Sequence, residues 1–441
     1  MAENQPTIKN RMNQELSNFA ARLRGLISNR QSPIGNRQFS ELALELFALQ
    51  LKHNPVYRKI CAGRKLMPGA VEHWTEIPVV PTAVFKELEL SSIPPAERTA
   101  VFHSSGTTEQ KPSRHFHCPE SLELYEASLV PWFFSNVLPD LRLAIDDLLA
   151  GGKSALRSRH SAIFLTPPPT HTPHSSLVHM FEAIRQKLGA PETMFVGRLA
   201  DDGAWMLDFG AISDLLYPGC QIPDARPCLL LGTAFSFVHL LDYLMENNLR
   251  FQLPPGSRVM ETGGYKNRSR TMPKSELHPL ITERLGVPPS HIICEYGMSE
   301  LSSQAYDGTI QANDLPHPGP LPKERENYRQ LAGESGSSGN SKKLTSLLPL
   351  PEGEGQGEGK SVAKARLFRF PPWVRVQIVS PETGREVAEG ETGLIRIFDL
   401  ANVFSEMSIQ TEDLGIRRGE QFELIGRAAW AEARGCSLMT V

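Results

Sequence analysis

The stretch from Val101 to Lys111 concentrates groups suited to holding a polyphosphate. Ser104, Ser105, Thr107 and Thr108 flank Gly106 in sequence, a loop that can offer hydroxyls and backbone N–H groups to a polyphosphate, and the glycine lets the backbone approach an anion closely. Lys111 adds a positive charge on a long stem. The G-x-x-x-x-G-K-[ST] spacing of a Walker loop is missing, and an ordinary hydroxyl-rich turn or helix cap is the plain alternative.

Glu300 follows a tight Tyr296-Gly297 turn, where a carboxylate suits Mg²⁺, an ion that takes one or two carboxylates together with substrate phosphates. A helix N-cap helper or a solvated Glu would have the same sequence. Tyr296 offers a ring for a base to stack on, or merely a packing ring at a strand end. Asp413, expected in a turn between Glu412 and Gly415, is able to accept hydrogen bonds from two ribose hydroxyls, or is simply a turn-forming Asp. Arg427 presents a rigid fork of donors to a ribose or phosphate, with a surface salt bridge as the alternative. Lys266 meets a phosphate or remains solvated. Cys436 stands beside Arg434 and Gly435, and a nearby cation lowers a thiol pKa from about 8.5 toward the reactive range, although a lone cysteine is commonly a buried, inert one. His103, His115, His117 and Cys118 alternate along an extended segment and are not expected to converge on one ion.

Taken together, these stretches resemble the adenylate-forming superfamily of acyl-CoA synthetases. Ser104 to Ser113 is similar to its phosphate-binding signature, Glu295 to Glu300 to its aromatic-Gly-x-Ser/Thr-Glu motif, and Asp413 and Arg427 to its ribose-binding Asp and hinge-side Arg. Within it, Glu261 to Lys266, Tyr296 to Ser302, Pro371 to Val376 and Gly426 to Leu438 resemble the acyl-protein synthetases of the LuxE family, from about Phe39 onward. The resemblance implies ATP and Mg²⁺ as cofactors, with nucleotide contacts at Ser104, Ser105, Gly106, Thr107, Thr108, Lys111, Gly263, Gly264, Tyr296, Gly297, Ser299, Asp413 and Arg427. It implies Glu300 as the Mg²⁺ carboxylate and Cys436 as the cysteine that takes the acyl group before a partner reductase receives it. Two departures stand out: Glu109 replaces a glycine usual in the phosphate loop, and the chain up to Val441 leaves no room for the superfamily's full mobile C-terminal domain with its catalytic lysine. A phenylacetate-CoA ligase-like enzyme that hands the acyl group to coenzyme A, and a non-catalytic scaffold, are the competing functions.

An α/β fold has to position these groups. Phe39 to Leu51 and Ser121 to Val137 carry apolar residues at helical spacing, while 162–165, 228–231 and 292–294 are short apolar runs ending in Gly, Pro, Thr or Ser, as buried strands do. The texture turns to short strands in 374–379 and 394–397. The expected organisation is a helical segment over 1–38, an α/β adenylation core over 39–314, a disordered Pro/Gly/Glu-rich insertion over 315–361, and a β-rich subdomain over 362–441 that carries nucleotide contacts and Cys436.

The bulk properties narrow the partners. Of 441 residues 40% are hydrophobic, and 46 basic against 49 acidic side chains give a net charge of −3, which is no nucleic-acid footprint. The most apolar run, 228–244, contains His239, Asp242 and Gly232-Thr233, so strand, turn and helix fit it better than a membrane span. The N-terminus has no signal-like apolar run and the six cysteines lack CxxC pairing, so a cytoplasmic chain with reduced thiols is expected.

Deleting Pro316 to Lys360 should leave the melting temperature within about 8 °C of the full chain, because the segment has no core-forming pattern. A larger fall in thermal melting would show that it packs.

Overall fold

Strands apolar on both faces need cover on both sides, which a parallel sheet between helices provides. The computed structural model describes residues 8–29, 32–64, 69–104, 111–139, 160–189, 193–201, 203–216, 226–263, 272–307 and 366–428. In it Ser161–Phe164, Cys228–Thr233, Arg258–Thr262 and Ile292–Tyr296 run parallel, buried at every position. Ala305–Tyr306 closes one edge antiparallel to Ile292–Tyr296, and Met194–Phe195 lies at the other.

Alternation along these strands divides the core. Ala162, Phe164, Leu229, Leu231, Met260 and Ile293 pack with residues of the helices Pro119–Val137 and Ser176–Leu188. Ile163, Leu230, Val259 and Ile292 pack on the other face with Ala234–Glu246 and Lys274–Leu285. Local chemistry sets the helix ends: the Thr233 and Ser175 hydroxyls cap their helices by accepting from Ser236 N and Val178 N, and Gly189 and Gly286 take the left-handed C-cap conformation. The helices expected around Phe39 and Ser121 form as Asn36–His53 and Pro119–Val137.

The second sheet is antiparallel, in the order Leu367–Phe368, Gln421–Arg427, Ser408–Arg418, Thr392–Asp399, Val374–Val379. Val80–Pro81 adds to it by pairing parallel with Ile409 and Gln410. Its apolar face does not pack alone. Ile378, Ile395, Ile397, Phe398 and Ile409 share one cluster with Leu16, Phe19 and Leu23 of the helix Ile8–Ser28 and with Phe39, Leu46 and Phe47 of the next helix. Trp74 wedges between Phe39 and Phe398, with ring centroids at 5.5 and 4.9 Å.

Asp413 is not in a turn. It lies within the strand Ser408–Arg418, directly opposite Arg427, beside a register shift between Leu414 and Gly415. The polar Thr-Glu-Asp run suggested a turn, but the two neighbouring strands supply its ladder bonds and override local propensity. Gly415 belongs to this packing, since a Cβ there would stand 2.9 Å from the Ile395 side chain. Among the described residues no helix is long and apolar enough to cross a membrane. The segment 315–361 lies outside them.

Phe398→Ala should cost about 3–5 kcal/mol in urea unfolding, the usual range for removing a buried Phe ring. A loss under about 1 kcal/mol would mean that the helices and the second sheet do not share this core.

Candidate active site

The hydroxyl-rich loop is held at its base by a hairpin, Ala100–His103 against Arg114–His117. Ser104 Oγ accepts from Ser113 N at 2.9 Å, and Ser104 N donates to Ser113 O at 3.3 Å. Ser105, Gly106, Thr107, Thr108 and Glu109 lie outside the described residues. Lys111 is exposed and pairs with Glu87 at 3.2 Å, a surface contact worth about 0–1 kcal/mol. The hairpin leans on the Tyr296–Glu300 turn: the Ser113 and Ser299 hydroxyl oxygens are 3.4 Å apart, and His115 Nδ1 donates to Ser299 O at 2.8 Å. Burial lowers the His115 pKa, which favours the neutral ring with Nδ1 protonated.

Tyr296 reaches the other sheet. Its hydroxyl donates to Asp413 Oδ2 at 2.8 Å, and Arg427 Nε lies 3.3 Å from Asp413 Oδ1 while its guanidinium also pairs with Glu412. The ring packs edge-on against Phe368, Phe370 and Phe422 at 5.7–6.2 Å, so Tyr296 has a packing role whatever binds beside it.

No helix follows Glu300, which removes the N-cap alternative. Its buried carboxylate accepts from Ser299 Oγ at 3.0 Å, and its carbonyl accepts from Asn402 Nδ2 at 2.8 Å. Asn402 Oδ1 in turn accepts from the Ser302 hydroxyl at 2.6 Å. Asp399 receives Ser302 N, Ser303 Oγ and Ala401 N, and burial nevertheless pushes its pKa up to about 6. Sequence reasoning missed this network because its members are scattered from 299 to 402. Glu300 with the Ser113 and Ser299 hydroxyls forms an all-oxygen donor set of the kind Mg²⁺ prefers.

Gly263, at φ 75°, and Gly297 end adjacent strands beside this turn. A Cβ on Gly297 would overlap the Glu295 carboxylate, which accepts from the Thr262 hydroxyl. Burial raises the Glu295 pKa to about 7, with nearby Glu261 adding to the rise and the Thr262 bond and Lys274 opposing it.

Behind Thr262 lies a second buried cluster that the sequence did not announce. Glu261 Oε1 accepts from Cys294 Sγ at 2.8 Å, pairs with Lys274 Nζ at 2.9 Å, and is 3.4 Å from His278 Nε2. Burial would raise the Glu261 pKa, but Lys274, His278 and Cys294 together hold it at about 2. Glu261, His278 and Cys294 are close enough to share a metal ion. However, Arg366 donates to His278 Nδ1 at 2.6 Å, so the neutral ring carries its proton on Nε2, and Lys274 already supplies the cation. The cluster reads as a charge-balanced brace for the ends of these strands. Gly264, Lys266 and Cys436 lie outside the described residues.

The fold, with its parallel and antiparallel sheets, is that of the adenylate-forming ligases. An open form of 2-hydroxyisobutyryl-CoA ligase superposes with TM-score 0.52 at 10% identity, over 90% of this chain and 71% of that one. Its postadenylation state gives TM-score 0.53 at 12% identity, over 89% and 67%. The resemblance to the LuxE family also holds: a family model described as acyl-protein synthetase, LuxE, matches residues 15–114. A long-chain-fatty-acid–luciferin-component ligase of Aliivibrio fischeri is 20% identical over 417 residues, covering 90% of this chain and 86% of the relative.

Glu295, neutral when folded up to about pH 7, contributes stability that is complete below the ordinary carboxylate pKa near 4.5 and is lost as pH rises through 7. Between pH 5 and pH 8 the wild type should therefore lose about 1–3 kcal/mol more than Glu295→Gln in urea unfolding. Equal losses would show that this carboxyl ionises as freely folded as unfolded.

Proposed function

We propose that this chain is an ATP-dependent, AMP-forming acid–thiol ligase of the acyl-protein synthetase type, acting on a carboxylic acid, with a fatty acid favoured by the Aliivibrio relative. The carrying observation is the convergence, at one sheet end, of Ser104 and Ser113, the Ser299–Glu300 turn, and the link from Tyr296 through Asp413 to Arg427. Those residues come from separate stretches of sequence, and a ligand that carries both phosphates and a ribose would use the hydroxyls, carboxylates and guanidinium that they bring together.

In this reading the acid's carboxylate attacks the α-phosphorus of ATP. Pyrophosphate departs and an acyl-adenylate remains. Asp413 accepts the ribose hydroxyls, Tyr296 flanks the base, and Arg427, held by Asp413 and Glu412, sets its guanidinium beside the ribose or α-phosphate. The loop 104–108 and Lys111 cradle the departing phosphates, and His115, fixed to Ser299 O, keeps the loop base and the turn in register. Glu300 would hold Mg²⁺, which would supply neutralisation of the phosphate charge. A thiolate then attacks the mixed anhydride, forming a thioester and releasing AMP. Cys436 is the proposed thiol, and a reductase or another acyl acceptor its client. The four described cysteines are unpaired, in keeping with a cytoplasmic setting where such a thiol stays reduced.

Radioactive acid plus ATP should label the wild-type protein, and hydroxylamine should release the label. Cys436→Ala should abolish labelling and spare acid-dependent pyrophosphate–ATP exchange. Labelling that survives the substitution rejects Cys436. An unlabelled wild type that consumes coenzyme A is a coenzyme A ligase.

A further inference from the structure

Buried polar atoms in folded proteins nearly always have partners, and one without costs about 1–3 kcal/mol. Three such atoms occur around Tyr125: Gln304 Oε1, the Tyr306 hydroxyl and His117 Nε2 have no hydrogen-bond partner, in residues no more than 5% exposed. Gln304 Nε2 donates to Tyr125 Oη at 3.5 Å, and the His117 ring is centred 6.0 Å from that of Tyr125. Tyr306 stands opposite Glu295 across the strand pair, so the two share a face. That face also carries Ile293, in one cluster with Tyr125 and Tyr306. Tyr296, next along the strand, points to the opposite face and to Asp413. The strand end thus separates a nucleotide side from a second side, where a polar set sits against Phe102, Leu129 and Phe133.

The polarity of that set follows from its bonds. The Ser121 hydroxyl donates to Cys118 O and accepts from Cys118 N, so the His117 Nδ1 at 3.1 Å must be the donor to it. Burial lowers the His117 pKa, leaving a neutral ring whose Nε2 is an acceptor. Tyr125 donates toward Ser176 O and accepts from the Gln304 amide nitrogen, which leaves Gln304 Oε1 as an acceptor too. Glu295, folded under Gly297, adds a carboxyl that is protonated up to about pH 7 and so both donates and accepts. Two unpaired acceptors, His117 Nε2 and Gln304 Oε1, beside that carboxyl and in apolar surroundings suit a ligand group that brings donors.

We propose that the acid activated here bears a hydroxyl or amino group, recognised by Glu295, Gln304 and His117, on an otherwise apolar skeleton. This rests on the acid-activating reading above. A site built around hydrogen bonds discriminates strongly against the analogue that lacks the bonding group, because its own polar atoms are then left unpaired.

Pyrophosphate–ATP exchange with decanoic, 2-hydroxydecanoic, 3-hydroxydecanoic and 2-aminodecanoic acids tests it. The wild type should use at least one substituted acid with kcat/KM about tenfold or more above decanoic acid. Gln304→Met and the isosteric Glu295→Gln should each reduce that ratio by about tenfold, and the ratio is read within one protein, so partial loss of folded enzyme does not move it. Decanoic acid used equally well, or a preference that survives in both variants, overturns the proposal and assigns the three atoms to buried water. Exchange with none of the acids, extended to aromatic ones, would instead sink the acid-activating reading itself.

Discussion

A carboxylate or amide withdrawn from water must recover its hydrogen bonds inside the chain, and the Ser299–Ser303 turn shows how much structure that requirement organises. Asp399, at the end of the strand Thr392–Asp399, and Asn402, just after it, satisfy the turn's amide and hydroxyls and the carbonyl of Glu300. The Trp373 indole closes the same network by donating to the Ser128 and Ser303 hydroxyls. Gln50, in an N-terminal helix, donates to the carbonyls of Asn402 and Val403. The turn that presents Tyr296, Ser299 and Glu300 is therefore held from three directions, and breaking one partnership leaves others buried and unpaired.

Charge is handled differently on the two sides of this turn. Toward Arg366, Lys274 pairs with Glu261 while Arg366 pairs with Asp307, and the Glu261 carboxylate stays ionised well below its usual range. Toward Tyr125, no cation faces Glu295 closely enough to overcome burial, and its proton is retained to about pH 7. The first arrangement braces strand ends and asks for nothing more. The second leaves acceptors unsatisfied next to a proposed reaction centre, which is where stability is commonly given up for binding.

The shared core explains why both sheets contribute to one site. Phe398 and its neighbours are buried by residues from the first fifty of the chain, so the antiparallel sheet is packed as firmly as the parallel one and brings Asp413 and Arg427 to a reproducible place opposite Tyr296. Without that packing the bond between Tyr296 and Asp413 would join two independently mobile surfaces.

By itself the sequence determined the apolar strands, the amphipathic helices and the order of the motif residues, because each depends on a pattern within a few residues: a short unbroken apolar run for Ser161–Phe164, helical period for Asn36–His53. Ser104, Tyr296, Glu300, Asp413 and Arg427 were legible as candidates for the same reason. Only the tertiary structure decided that Asp413 sits in a strand facing Arg427, that His115 grips Ser299, and that Glu261, Lys274, His278, Cys294 and Arg366 make one cluster. Those outcomes turn on which distant segments share a dry interior, where a buried polar atom takes whatever partner the packing brings within 3 Å or so, and no local pattern encodes that choice.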